Sequence, residues 1–140
     1  MATSFKKRFN DREGSTEVLQ KETDAWLYEI FSTTEHIRFL TKFLQADIFE
    51  ARQPNMFEMF ESFKEKLDAY RKAIFILNRE AHNHKNDLDG MKDCDDISCE
   101  SFYREQHSEL KENFTKFIAG FKDLQSQIFN YTGDLLITKE

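Results

Sequence analysis

A chain of 140 residues with one third of its side chains charged, four Gly and one Pro suits a single helical domain and leaves little room for a turn-rich β fold. A formal net charge of −6 works against nucleic acid and anionic membrane as partners over most of the surface, and no stretch approaches the roughly 20 apolar residues that a membrane span needs. Two cysteines, Cys94 and Cys99, are too few for a disulfide scaffold and fit a reducing cytoplasm, while the basic stretch Met1 to Asn10 lacks the apolar run of a signal peptide.

In the first 14 residues, Lys6, Lys7, Arg8 and Arg12 interleave with Phe5 and Phe9. A basic aromatic cluster of this kind can touch nucleic acid or an anionic lipid surface, but it is short and Asp11 and Glu13 interrupt it. The favoured reading is a partly flexible terminal segment over 1–14, with a bundle domain over 15–135 and a tail over 136–140.

Between Ser15 and Arg52, Leu19, Thr23, Trp26, Ile30, Thr33, Ile37, Leu40, Leu44, Asp47 and Ala51 recur at alternating spacings of four and three, which is a heptad seam. The spacing predicts a helix over about 15–52. Gln53-Pro54-Asn55 should stop it, and Asn55 with Glu58 three residues on reads as a capping-box-like start for a second helix over about 55–89. That helix repeats the seam through Met56, Phe60, Phe63, Leu67, Tyr70, Ile74, Leu77, Ala81, His84 and Leu88, and Gly90 is placed to end it. A third helix over about 98–132, opened by Ser98 and closed by Gly133, carries Tyr103, His107, Leu110, Phe114, Phe117, Phe121, Leu124, Ile128 and Tyr131. Short connections make consecutive helices antiparallel neighbours, so the fold class is all-α: an antiparallel, coiled-coil-like bundle of three long helices.

Folding the seams back on one another gives a register. Its layers combine Trp26 with Ala81 and Leu110, Ile30 with Leu77 and Phe114, and Thr33 with Ile74 and Phe117. They continue with Ile37, Tyr70 and Phe121, then Leu40, Leu67 and Leu124, then Leu44, Phe63 and Ile128. The same register joins His84 and His107 to Thr23, one step beyond Trp26. Two facing imidazoles with Glu22, Asp24 or Glu80 nearby form the alternative, metal-binding reading of this bundle. The Glu-x-x-His pairs of a di-iron bundle are missing, however, and Arg104 stands where that Glu should precede His107. A hydrated polar layer is the simpler expectation.

The connection from Asn86 to Glu100 gathers Asp87, Asp89, Asp93, Asp95, Asp96 and Glu100 around the two cysteines. Aligned as a calcium loop, it puts Lys85 first and Asp96 last, where an oxygen ligand and a bidentate Glu belong. A solvated acidic loop with two free thiols is the expectation, a small disulfide being the alternative.

Outside the seam, helix one carries Tyr28, Phe31, Phe39, Phe43 and Phe49, and helix two adds Phe57, Phe75 and Ile76. Aromatic residues repeated along an outer helix face suggest either cover by the N-terminal segment or an interface with a second copy or a protein partner. No nucleophile with its base, phosphate-binding Gly-rich loop or paired-carboxylate site stands in a catalytic context. The expectation is therefore a cytoplasmic, non-enzymatic protein without cofactors, acting as a homodimeric scaffold, adaptor or inhibitor-like module through these five aromatics.

Overall fold

The computed structural model describes residues 2–138, with side chains from Thr16 onward. The chain is an all-α three-helix bundle of α1 (Ala2–Gln45), α2 (Met56–Asp87) and α3 (Ile97–Gly133), with a 3-10 segment (Leu88–Asp93) between α2 and α3. The basic cluster Lys6, Lys7, Arg8 and Arg12, with Phe5 and Phe9, lies outside the residues whose side chains are described. Among the described residues no helix is long and apolar enough to cross a membrane.

The chain divides into two compact units, each built from a stretch of all three helices: Met1–Ile30 with Ile76–Phe114, and Phe31–Phe75 with Thr115–Glu140. In the first unit the direction of packing is visible in polar contacts. As α1 advances from Gln20 to Asp24, its partner recedes from Asp89 to Lys85, so α1 and α2 run antiparallel. Trp26, Ile30, Leu77, Ala81, Leu110 and Phe114 are all buried, as the seam requires. Trp26 stacks on Phe114 with ring centroids 5.6 Å apart, while Ala81 is the small residue the register sets beside the indole. Leu88 and Met91 of the 3-10 segment, with Cys94 just after it, add a buried face.

In the second unit, Tyr70 packs edge-on against Phe117 and Phe121, and Phe60 and Phe63 pack against Tyr131, so α2 and α3 run antiparallel there as well. Ile37, Leu40, Leu44, Phe63, Leu67, Ile74, Phe121, Leu124 and Ile128 are buried. Each such side chain contributes about 1.5 to 3 kcal/mol in transfer terms. Phe117, assigned to the seam, is only half-buried, and its neighbour Ile118 takes the core position instead. Tyr70 reaches Gly120, where an added Cβ would lie 2.6 Å from the phenol oxygen, so a larger residue there would have to displace the Tyr70 ring.

Several expected boundaries move. The first helix stops at Gln45, not Arg52, and Asp47 and Ala51 are exposed instead of continuing the seam. The reason is tertiary: Phe49 and Leu136 form an antiparallel β-bridge, with Glu50 N donating to Leu135 O at 2.7 Å and Ile137 N to Ile48 O at 2.9 Å. Leu135 to Ile137 therefore pair with the segment after α1, so the expected tail over 136–140 begins as paired backbone. Backbone groups that an extended helix would consume are satisfied across the unit.

Asn55 precedes α2 as expected and its carbonyl accepts from Met59 N at 3.0 Å, but the reciprocal side-chain box with Glu58 is not formed. Neither Gly90 nor Gly133 caps a helix in the left-handed conformation, since no described residue has positive φ. Gly90 sits instead inside the 3-10 segment, where the Tyr103 hydroxyl occupies the space of a Cβ. α3 is opened by Asp96 in place of Ser98: Asp96 Oδ1 accepts from Cys99 N at 2.8 Å, the bond of a helix N-cap. The two cysteines form a disulfide, against the expectation of free thiols, and tie the end of the 3-10 segment to the first turn of α3. The Cα atoms of the two cysteines, five positions apart in sequence, lie 5.5 Å from one another.

Candidate functional site

The first unit holds a buried polar chain at the layer where the sequence register puts it. Thr23, His84 and His107 are all buried, and His84 Nε2 lies 2.8 Å from His107 Nδ1. His107 Nε2 lies 2.9 Å from Glu22 Oε1, which also takes an ion pair from Lys111 at 3.2 Å. The indole of Trp26 stacks on His107 with centroids 4.7 Å apart. The Thr23 hydroxyl turns back to Leu19 O at 2.8 Å, so it takes no part in the chain of rings.

Because a carboxylate only accepts, Glu22 assigns the proton of His107 to Nε2. With both rings neutral, His107 Nδ1 presents a lone pair, His84 donates to it from Nε2, and His84 Nδ1 is left as an acceptor. Burial lowers the pKa of His84, the nearby charge of His107 lowers it further, and Asp87 offsets part of this. Burial also acts on Glu22 and raises its pKa, but the hydrogen bonds and charges of His107 and Lys111 outweigh it and hold the carboxyl below its usual range.

For a metal the arrangement is unfavourable. The two rings spend their facing nitrogens on one another, and among the described residues no three His, Cys, Asp or Glu side chains converge as a ligand set. The acidic connection is divided in the same way: Asp96 caps α3, Asp89 bonds Gln20 at 2.8 Å, and Glu100 pairs with Arg104 at 3.1 Å. These carboxylates have local partners and do not face a common point.

Compared with protein-family models, characterised proteins and solved structures, the chain matches none. Function has to be argued from its own surfaces.

The five aromatics expected at an interface separate into two groups. Tyr28, Phe31 and Phe39 are 77%, 66% and 61% exposed, whereas Phe43 and Phe49 are half-buried. Phe43 and Phe49 belong to an internal ladder of the second unit: Phe39 stacks on Phe43 at 6.0 Å, Phe43 meets Phe49 edge-on at 5.2 Å, and Phe49 meets Phe60 at 5.0 Å. Phe49 lies beyond the end of α1, so the helical face assumed for it does not exist. Phe57 and Phe75 on α2 are exposed as the sequence suggested, at 73% and 70%.

Beside Phe39 in chain order lies a groove of about 210 Å³ between α1 and α2 of the second unit. Its floor is Ile37 and Ile74, its walls include Thr34 and Thr41, and Arg38, Lys42 and Arg71 rim it. The rim is of mixed sign, because Arg38 bonds Glu35 at 3.1 Å and Arg71 bonds Asp68 at 2.7 Å. The cations beside Asp68, Arg71 first and then Lys72, hold its carboxyl below the usual range. Sequence reasoning located the exposed aromatics but missed this groove, which depends on how α1 and α2 pack together.

Proposed function

We propose that the protein is non-enzymatic and works by protein–protein contact, pairing with a second copy of itself through the α1–α2 face of the second unit. The observation that carries this reading is the exposure of Phe31 and Phe39 on α1, in the unit that also holds the apolar groove between α1 and α2. Two phenyl rings left mostly in water on one helix forgo burial worth about 1.5 to 3 kcal/mol each, which a partner surface would recover. Alternating Glu35 with Arg38 and Asp68 with Arg71 gives the rim both signs, a pattern that complements itself under a two-fold rotation. An apolar centre with a charged rim is the usual composition of a contact surface. A dimeric scaffold or adaptor is the role that such a surface suits.

A persistent Cys94–Cys99 bridge belongs to an oxidising compartment, so cytoplasmic work would require it to open. The proposed face contains neither cysteine and does not depend on the answer. The metal-binding alternative has less behind it, since His84 and His107 are engaged with each other and, among the described residues, no third ligand joins them in a set.

Light scattering on size-fractionated protein tests the reading. A dimer is expected, and Phe39→Glu should convert it to a monomer while leaving its helical circular dichroism unchanged. A monomeric wild type, or a dimer indifferent to this charge, would overturn the choice of face.

A further inference from the structure

A second groove, of about 300 Å³, lies between α2 and α3 of the first unit, and the outer edge of the buried histidine chain opens into it. We propose that this groove binds a linear aliphatic polyamine, with His84 Nδ1 as the central acceptor and carboxylates on either side.

Three observations converge on that ligand. His84 is only 6% exposed, its Nε2 is committed to His107, and Nδ1 has no hydrogen-bond partner among the described residues although the ring lines the groove. With both rings neutral, the bond from His107 to Glu22 sets the tautomers, so the His84 nitrogen left over is an acceptor and not a donor. The groove is also lined by Glu80, Asp87 and Glu109 and by no Lys or Arg; none of these three carboxylates has an ion-pair partner among the described residues. By contrast Glu22, Asp24, Asp68 and Glu100 each hold a cation.

Spacing then selects the shape of the ligand. Glu80, His84 and Asp87 stand four and three residues apart on one face of α2, so the outer two are about 10 Å apart with the imidazole between them. Glu109 faces them from α3, and Leu110, buried beneath, offers methylene groups an apolar floor. A row of acceptors with an apolar base matches ammonium groups strung along an alkyl chain, since an ammonium donates three hydrogen bonds and accepts none. A single divalent ion fits less well, because no three of these groups converge on one point among the described residues. An anion would meet three carboxylates and a lone pair.

The arrangement also makes binding respond to pH. A proton arriving at Nδ1 turns the central acceptor into a donor and adds positive charge. The charged groups around the ring are Glu80 and Asp87 on its own helix, Glu109, His107 and Lys111 on α3, and Glu22 on α1. Polyamine binding should therefore weaken as pH falls below the usual histidine range.

The test is calorimetric titration of the full chain with spermidine at near-physiological salt, beside three variants. One-to-one saturable binding is expected for the wild type. Asp87→Asn with Glu109→Gln, both at exposed positions, should weaken it by roughly tenfold or more, as loss of close charge pairs does. Glu58→Gln with Glu65→Gln, an equal charge change outside the groove, should leave it unchanged. His84→Gln should abolish the pH dependence, and should that variant unfold, the nitrogen chemical shift of wild-type His84 Nδ1 on adding spermidine gives the same information. Equal losses in both double variants would mean nonspecific attraction to an acidic surface. That result, no saturation at millimolar spermidine, or magnesium binding as tightly as spermidine, would overturn the proposal.

Discussion

His84 is the residue whose chemistry has the clearest consequence for stability. Burial and His107 lower its pKa in the fold, so the unfolded chain, with a value near 6.5, takes up that proton more readily. Stability from keeping the ring neutral is fully present above about pH 6.5 and is lost as pH falls through the lowered value. Glu22 is also shifted down, from 4.5, and its contribution is lost only in more acidic solution. The denaturant midpoint should thus fall between about pH 7.5 and pH 5.5 for the wild type but stay level for His84→Gln, and a level wild-type profile would refute the argument. A second residue tests the cost of an orphaned group. Tyr131 Oη is the buried side-chain oxygen left without a hydrogen-bond partner among the described residues, in the pocket made by Phe60 and Phe63. Tyr131→Phe keeps the ring packing and removes the hydroxyl, so it should be neutral or stabilise by up to about 1 kcal/mol. A loss of more than that in chemical denaturation would reveal a partner for the hydroxyl.

At the scale of elements, the link between α2 and α3 combines three devices within a dozen residues. The 3-10 segment buries Leu88 and Met91, Asp96 caps α3, and Cys94 is bonded to Cys99. A bridge across so short a loop stabilises by about 2 kcal/mol in the chain-entropy account. Protein denatured without reductant should accordingly show no titratable thiol, and Cys99→Ser should lower unfolding free energy by about that amount. Two reactive thiols per chain would restore the free-cysteine reading. The other connection uses backbone pairing instead of a covalent tie: Phe49 bridges to Leu136, and Arg52 reaches Asp134 O at 3.1 Å. Heptad spacing continued through Asp47 and Ala51 because both fit it numerically; neither is large and apolar, which was the available warning that the helix would end early.

For the whole molecule, self-association through Phe31 and Phe39 predicts thermal behaviour as well as mass. If the folded chain dimerises and the unfolded chain does not, Tm should rise with protein concentration, and Phe39→Glu should remove that dependence. A concentration-independent Tm in the wild type would contradict pairing. The association should persist at elevated salt, because the groups it would bury are apolar and only the rim of the groove is charged.

The sequence by itself determined the helical class, the directions of the helices and most of the core. Burial of apolar side chains imposes a 3.5-residue period that survives in the bare order of residues, and antiparallel folding converts it into a register accurate enough to place His84 beside His107. Tertiary structure alone decided the ends of the helices, the partner of each cysteine, the inward turn of Phe43 and Phe49, and both grooves. Those features depend on competition among backbone groups and on the fit between surfaces distant in sequence. Neither quantity leaves a periodic trace in the chain.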